Sequence, residues 1–224
     1  MPSNEAHTDL WVYDLLKEAG LDLDPQGSTI PEVEQALKSA SKKGTGKAGR
    51  PEFCGAVKDF LIVIEDKASL DNHIHRNPNG LIDLAPQFTT TYAVNGAFHY
   101  ARHIALNTNF HKVFALGISG DEKHHRITPL FVNERDDLWE LDDVETLISF
   151  SEQNIVEYYL RRVLKEDTPN EKQTADILRD ARQLHEDLRN YGNIQDQQKP
   201  LIVSGILLAL REVKENNFSI DSLT

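Results

Sequence analysis

Glu52 and Glu65 have the side-chain type and the spacing to hold a cation, with Asp66 and the Lys67 ammonium beside them. Glu65-Asp66-Lys67 ends an apolar run, Phe60-Leu61-Ile62-Val63-Ile64, and Glu52 immediately precedes another, Phe53 to Val57. Burying charge at the end of such strands costs free energy unless a partner compensates it. If Lys58-Asp59 is a two-residue turn between antiparallel strands, Val57 faces Phe60, and the ladder counted back sets Glu52 opposite Glu65. Opposed residues share a face, with Cβ atoms about 4.5–5.5 Å apart. The period of two then puts Lys67 on that face and turns the Asp66 side chain to the other. Facing carboxylates repel unless something positive lies between them. A hard divalent ion such as Mg²⁺, which takes one or two carboxylates plus waters and phosphate oxygens, suits the pair. A turn one residue longer or shorter sends Glu52 to the opposite face.

The elements that must position these groups follow from periodicity. Phe60 to Ile64 is short, β-branched and apolar at both parities, as in a central strand covered on both faces. Glu5 to Ala19, with Leu10, Trp11, Leu15 and Leu16 on one side, reads as an amphipathic helix stopped by Gly20. Thr29-Ile-Pro-Glu32 fits a capping box opening a second helix to about Ser41. Asp71 to Gln87 is a polar loop with a turn at Asn77-Pro78-Asn79-Gly80, and its His73, His75 and Arg76 read as surface groups within reach of a phosphate. A helix from Thr89 to Asn107 follows, then buried strands at His111–Ser119 and Arg126–Val132 joined by a turn at Asp121–His125. Beyond Leu138 the chain turns to charged helices, Asp142–Lys165, Glu171–Tyr191 and Lys199–Lys214.

Charge is distributed unevenly. The net charge of −12 opposes contact with nucleic acid, yet Lys38 to Arg50 holds five basic residues and no acid. Phosphate contact depends on such local cations, and Lys42, Lys43, Lys47 and Arg50 are the candidates. Gly44, Gly46 and Gly49 match the G-x-G-x-x-G spacing but follow a helix and enter a strand, the reverse of a dinucleotide site. His99 and His103 share a helical face, but no Glu follows His99 and no cysteine pair exists to complete a zinc site. The single cysteine, Cys54, excludes an intramolecular disulfide and fits a reducing cytoplasm. Leu201 to Leu210 is too short to cross a bilayer, and no signal peptide is visible.

Pro51-Glu52 followed by Glu65-Asp66-Lys67 resembles the PD-(D/E)xK nuclease signature, with Glu for the more usual first Asp. Gly49-Arg-Pro-Glu-Phe53, Ile64-Glu-Asp-Lys-Ala68 and Tyr92-Ala-Val-Asn-Gly-Ala-Phe-His-Tyr-Ala101 extend the likeness to the N-terminal nuclease domains of type I-like and fused restriction-modification enzymes, over residues 5 to 132. The resemblance implies an α/β, restriction-endonuclease-like core: a mixed central sheet flanked by helices in αβββαβ order, followed by a helical C-terminal region. It implies a nuclease-like domain at residues 1–137 and a helical connector at 138–224, leading toward a methyltransferase region absent from this chain.

The same resemblance implies roles for individual residues. Glu52 and Glu65 would be metal ligands, with the Asp66 carbonyl as a further one, and Lys67 would support the attacking water or the developing phosphorane charge. A first-helix Glu points at the metal in such nucleases, which Glu5 matches; as an acid at a helix N-terminus it is equally explained by the dipole. The 92–101 helix lines the site with polar groups, making Asn95 and His99 candidates either to support the metal ligands from behind or to contact DNA. Mg²⁺, or Mn²⁺, would be the cofactor and double-stranded DNA the substrate, with methyltransferase and specificity regions in the same polypeptide or complex. Lys199 to Leu210 resembles the lead-in to adenine-N6 methyltransferase domains, but this chain lacks an Asn-Pro-Pro-Tyr/Phe motif and a cofactor glycine loop, so S-adenosylmethionine would belong downstream. The competing reading is a catalytically inactive nuclease-like module that binds DNA or joins subunits.

Overall fold

The computed structural model describes residues 4–43, 48–166 and 179, with the side chains of residues 4–6 excepted. The chain divides into two compact units, Met1–Glu166 and Asp167–Thr224. Of the second unit only Arg179 is described, so the expected helices at Glu171–Tyr191 and Lys199–Lys214, and the segment likened to a methyltransferase lead-in, lie outside the described residues.

The first unit is built on one six-stranded mixed sheet. Its elements in chain order are α1 (Asn4–Glu18), β1 (Asp24–Pro25), α2 (Pro31–Leu37), β2 (Phe53–Val57), β3 (Phe60–Lys67), α3 (Pro86–Thr91), α4 (Ala93–Asn107), β4 (Lys112–Gly120), β5 (His125–Asn133), β6 (Leu138–Glu140) and α5 (Ile155–Tyr159). The strands lie side by side in sequence order. β3 and β4 are parallel, and every other neighbouring pair is antiparallel. A parallel pair needs a crossover, which α3 and α4 supply.

Alternation along β3 builds both faces of the core. Ile62 and Ile64 pack on one side with Val12, Leu16, Phe114 and Phe131. Leu61 and Val63 pack on the other with Val94, Ala97, Ala101 and Ile104 of α4. All four β3 residues are fully buried, each stabilising the fold by about 1.5–3 kcal/mol. Helix α4 lies very close to the sheet at Gly117, where an added Cβ would come within 2.5–2.6 Å of Val94.

Several local expectations are corrected. The helix foreseen from Thr89 to Asn107 is two, broken at an extended Tyr92 (φ −110°, ψ 134°), where the Val94 N–H leaves the helix to bond the His73 carbonyl. The capping box does not form: Ile30 is the N-cap, the Thr29 hydroxyl bonds Asp24, and the Glu32 carboxylate accepts from Asn109. Helix α2 stops at Leu37, short of Ser41. The expected domain boundary at residue 137 falls inside the first unit, because β6 pairs with β5. Residues after β6 keep following β5, through Leu141 N–H to Pro129 and Val144 N–H to Ile127. That ladder holds the start of the supposed 142–165 helix extended, and α-helix begins only at Ile155, after one 3₁₀ turn at Ile148–Phe150.

Candidate metal centre

Pairs Val57–Phe60 through Phe53–Ile64 confirm a two-residue turn at Lys58-Asp59. Lys58 takes a positive φ of 54° there. The paired ladder ends at Phe53–Ile64, one residue short of Glu52 and Glu65. Glu65 is completely buried and Asp66 is 3% exposed. Glu52 is half-buried and hydrogen-bonded to the Gln26 side chain. It is close enough to Glu65 and Asp66 for its charge to raise both carboxyls.

Lys67 shares the Glu65 face, its Nζ 3.9 Å from Glu65 Oε2, but it donates its hydrogen bond to the Asp66 carbonyl at 2.8 Å. The closer cation is Lys42, whose Nζ lies 2.7 Å from the same Oε2. Lys42 comes from the segment after α2, and the Thr89 hydroxyl donates to its carbonyl. Its ammonium also stands 5.2 Å from the Tyr100 ring centroid. Burial pushes the Glu65 carboxyl above its ordinary range, and the two ammonium groups oppose that rise. The other carboxylate oxygen, Oε1, is buried with no hydrogen-bond partner. Gly96 lets α4 approach here, since a Cβ at that position would stand 3.1 Å from Glu65 Oε2 and 2.9 Å from the Thr89 carbonyl.

The Asp66 side chain occupies the opposite face, toward α1. Burial, and then the charge of Asp9, push its pKa up to about 8. Its Oδ2 is also buried without a partner.

Other expected site residues are dispersed or otherwise engaged. Glu5 belongs to α1, but its side chain is outside the described residues, as is all of Lys47. Lys43 and Arg50 are exposed, and the Arg50 N–H bonds the Tyr100 hydroxyl. Lys42, expected on phosphate, is bonded to Glu65 instead. Asn95 is completely buried; its oxygen accepts from His75 N–H and its amide donates to the carbonyls of His75 and Asp83. It therefore fixes the 73–83 loop and offers nothing to DNA. His99 is half-buried with Nε2 3.1 Å from the Ala40 carbonyl, and desolvation lowers its pKa. His103 Nε2 likewise lies 3.0 Å from the Ala36 carbonyl, so the two imidazoles anchor the end of α2.

Sequence reasoning missed His73. It is 3% exposed, not a surface group. Its Nδ1 lies 3.0 Å from Ser119 Oγ and its Nε2 2.7 Å from Thr128 Oγ1. The Thr128 hydroxyl donates to Asp143, which Arg126 also holds. Ser119 is the sheet partner of Lys67, so this buried network forms the row beside the candidate site. The missed Lys42–Glu65 pair joins residues 23 apart through a loop, leaving no periodic trace in sequence.

Among the described residues, no group of three or more His, Cys, Asp or Glu side chains converges as a metal-binding cluster. Two carboxylates plus a backbone carbonyl nevertheless meet the modest requirement of a hydrated Mg²⁺. The partnerless Glu65 Oε1 fits such a ion's demand for a free carboxylate oxygen. A cavity of about 240 Å³ lined by Lys42, Lys43, Arg50, Thr90 and Tyr100 opens beside Glu65's lysine partner. A larger one, about 550 Å³, lies among Val144, Asn154, Tyr158 and Arg162 and contains none of these groups.

Over its whole length the chain is similar to a type II restriction enzyme and methyltransferase. That relative is RM.BcgI of Heyndrickxia coagulans, 40% identical over 225 residues; the chain spans 35% of its length. No family model matches the chain, and no solved structure matches it. Among the described residues, no helix is long and apolar enough to cross a membrane.

Proposed function

We propose that this chain is the Mg²⁺-dependent DNA endonuclease region, of PD-(D/E)xK type, of a restriction-modification protein. The observation that carries this reading is Glu65: a fully buried carboxylate with one oxygen unpartnered, one residue past the last β2–β3 pair and sharing its face with Lys67. The element order supports it, since with α2 and the short α3 set aside the chain runs α1, β1–β3, α4, β4. The 40% identity to a restriction enzyme and methyltransferase supports it independently.

Glu52, Glu65 and the Asp66 carbonyl would hold Mg²⁺ or Mn²⁺, with Glu5 of the first helix as a further candidate ligand. The bound ion would supply activation of water and screening of the phosphodiester charge. Lys67 would stabilise the charge that develops on the phosphate, and α4 keeps the rear of Glu65 dry, so its charge is felt at low dielectric. Lys43, Lys47 and Arg50 would meet the backbone of double-stranded DNA. A methyltransferase region of the same polypeptide or complex would use S-adenosylmethionine, with residues beyond the first unit leading toward it, and the assembly would act in the cytoplasm.

One observation favours a non-catalytic DNA-binding or subunit-joining module instead: Glu65 and the Asp66 carbonyl, both needed by the ion, are each bonded to a lysine. The purified chain, given Mg²⁺ or Mn²⁺ and double-stranded DNA, decides between them. Cleavage that disappears in Glu65→Ala and Lys67→Ala, with circular dichroism unchanged, is expected. Cleavage undiminished in either variant would refute the nuclease assignment.

A further inference from the structure

We infer that Lys42 is a resident counter-ion of the metal centre, which a divalent ion must displace from Glu65 to bind. This inference rests on the divalent site proposed above and adds to it a residue acting on the site's ligand.

The geometry points to exchange. Glu65 is completely buried, so its charge needs a cation close by. Lys42 answers that need at 2.7 Å, whereas Lys67 stands at 3.9 Å and is committed to the Asp66 carbonyl. A divalent ion on Glu65 and an ammonium 2.7 Å from one of its oxygens would be strongly repelled in so dry a setting. Glu65 cannot turn away to serve both, because Gly96 packs behind Oε2. Lys42 can move: its side chain is 16% exposed and borders the 240 Å³ cavity shared with Lys43 and Arg50. Displaced into it, the ammonium joins a basic group suited to a phosphate of the substrate backbone. The carboxylate would thus never be left uncompensated, and filling the metal centre would add a cation to the surface that meets DNA.

The test reads lysine reactivity and metal affinity without relying on cleavage. The chain is acylated briefly with an amine-reactive reagent, with and without Mn²⁺ and without DNA, and each lysine is quantified by mass spectrometry. Calorimetry measures Mn²⁺ binding in parallel. Lys42 is expected to label several-fold faster with Mn²⁺, while Lys112, paired with Asp59 on the surface, stays unchanged. Lys42→Ala, if folded by circular dichroism, should bind Mn²⁺ roughly 30- to 150-fold more tightly, the advantage of removing a competitor from a buried, partly exposed pair. Mn²⁺ binding to the native chain with Lys42 labelling unchanged would overturn the exchange and leave the metal centre standing. Weaker or equal binding by a folded Lys42→Ala would do the same. No Mn²⁺ binding by the native chain would overturn both.

Discussion

The two faces of β3 at its charged end solve one problem in opposite ways. Glu65 and Asp66 are adjacent and both deeply buried. On the α4 face Glu65 has two ammonium groups within 3.9 Å; on the α1 face Asp66 has Asp9 as its neighbour and an oxygen without a partner. Desolvation raises both carboxyls, but on the first face cations resist the rise and on the second another acid adds to it. A strand end that gathers cations around one carboxylate while leaving the next to protonate is organised for charge on one side only. On the proposed reading, the metal chemistry would belong to the Glu65 face and Asp66 would contribute through its backbone.

The largest effect that could break this contrast is on metal affinity. Glu65→Gln should weaken Mn²⁺ binding by at least about a hundredfold, in the range seen when an essential charged partner is removed, whereas Asp66→Asn should leave it nearly unchanged. Calorimetry on both variants checks this, and equal losses would erase the distinction between the faces.

Stability comes next. Lys42→Met leaves a buried carboxylate with only the more distant ammonium, and should cost about 2–3 kcal/mol in urea unfolding, below the full range for a buried pair because Lys42 is partly exposed. Asp66→Asn should do the reverse above neutral pH. The Asp66 carboxyl has a folded pKa of about 8 against an ordinary 3.8. The folded state therefore holds its proton more tightly, and the native chain loses stability as pH rises from about 4 to 8. The variant should gain on the order of 1–3 kcal/mol at pH 8 and nothing at pH 4.

A smaller effect sharpens the picture of the row beside Lys67. Burial holds His73 at about 4 against an ordinary 6.5. Its contribution is complete above pH 6.5 and is lost as pH falls toward 4. Denaturant unfolding across that range should show an acid-side decline that His73→Gln reduces.

Sequence reading reached far where one physical rule governed and failed where the contact was tertiary. The Lys58-Asp59 turn and the period of two together yield the observed β2–β3 register, Val57–Phe60 through Phe53–Ile64, and Glu65 and Lys67 fall on one face of β3. Strands β1 and β6, two and three residues long, are too short to show a period. The break at Tyr92 depends on a carbonyl from His73, nineteen positions earlier by number, and so could not be seen in helix propensity. His73 reads as a polar surface group and Asn95 as a site-lining one because nothing local reveals the hydroxyls and carbonyls that satisfy them when buried. Lys42 was legible as a cation in a basic stretch; its carboxylate partner was not.

The most direct test is anomalous diffraction from a crystal of this chain soaked in Mn²⁺. A peak within coordination distance of Glu65 and Glu52, with the Lys42 ammonium moved away from Glu65, is the predicted result. Density showing Lys42 still on Glu65 and no manganese on either carboxylate at saturating Mn²⁺ would contradict it.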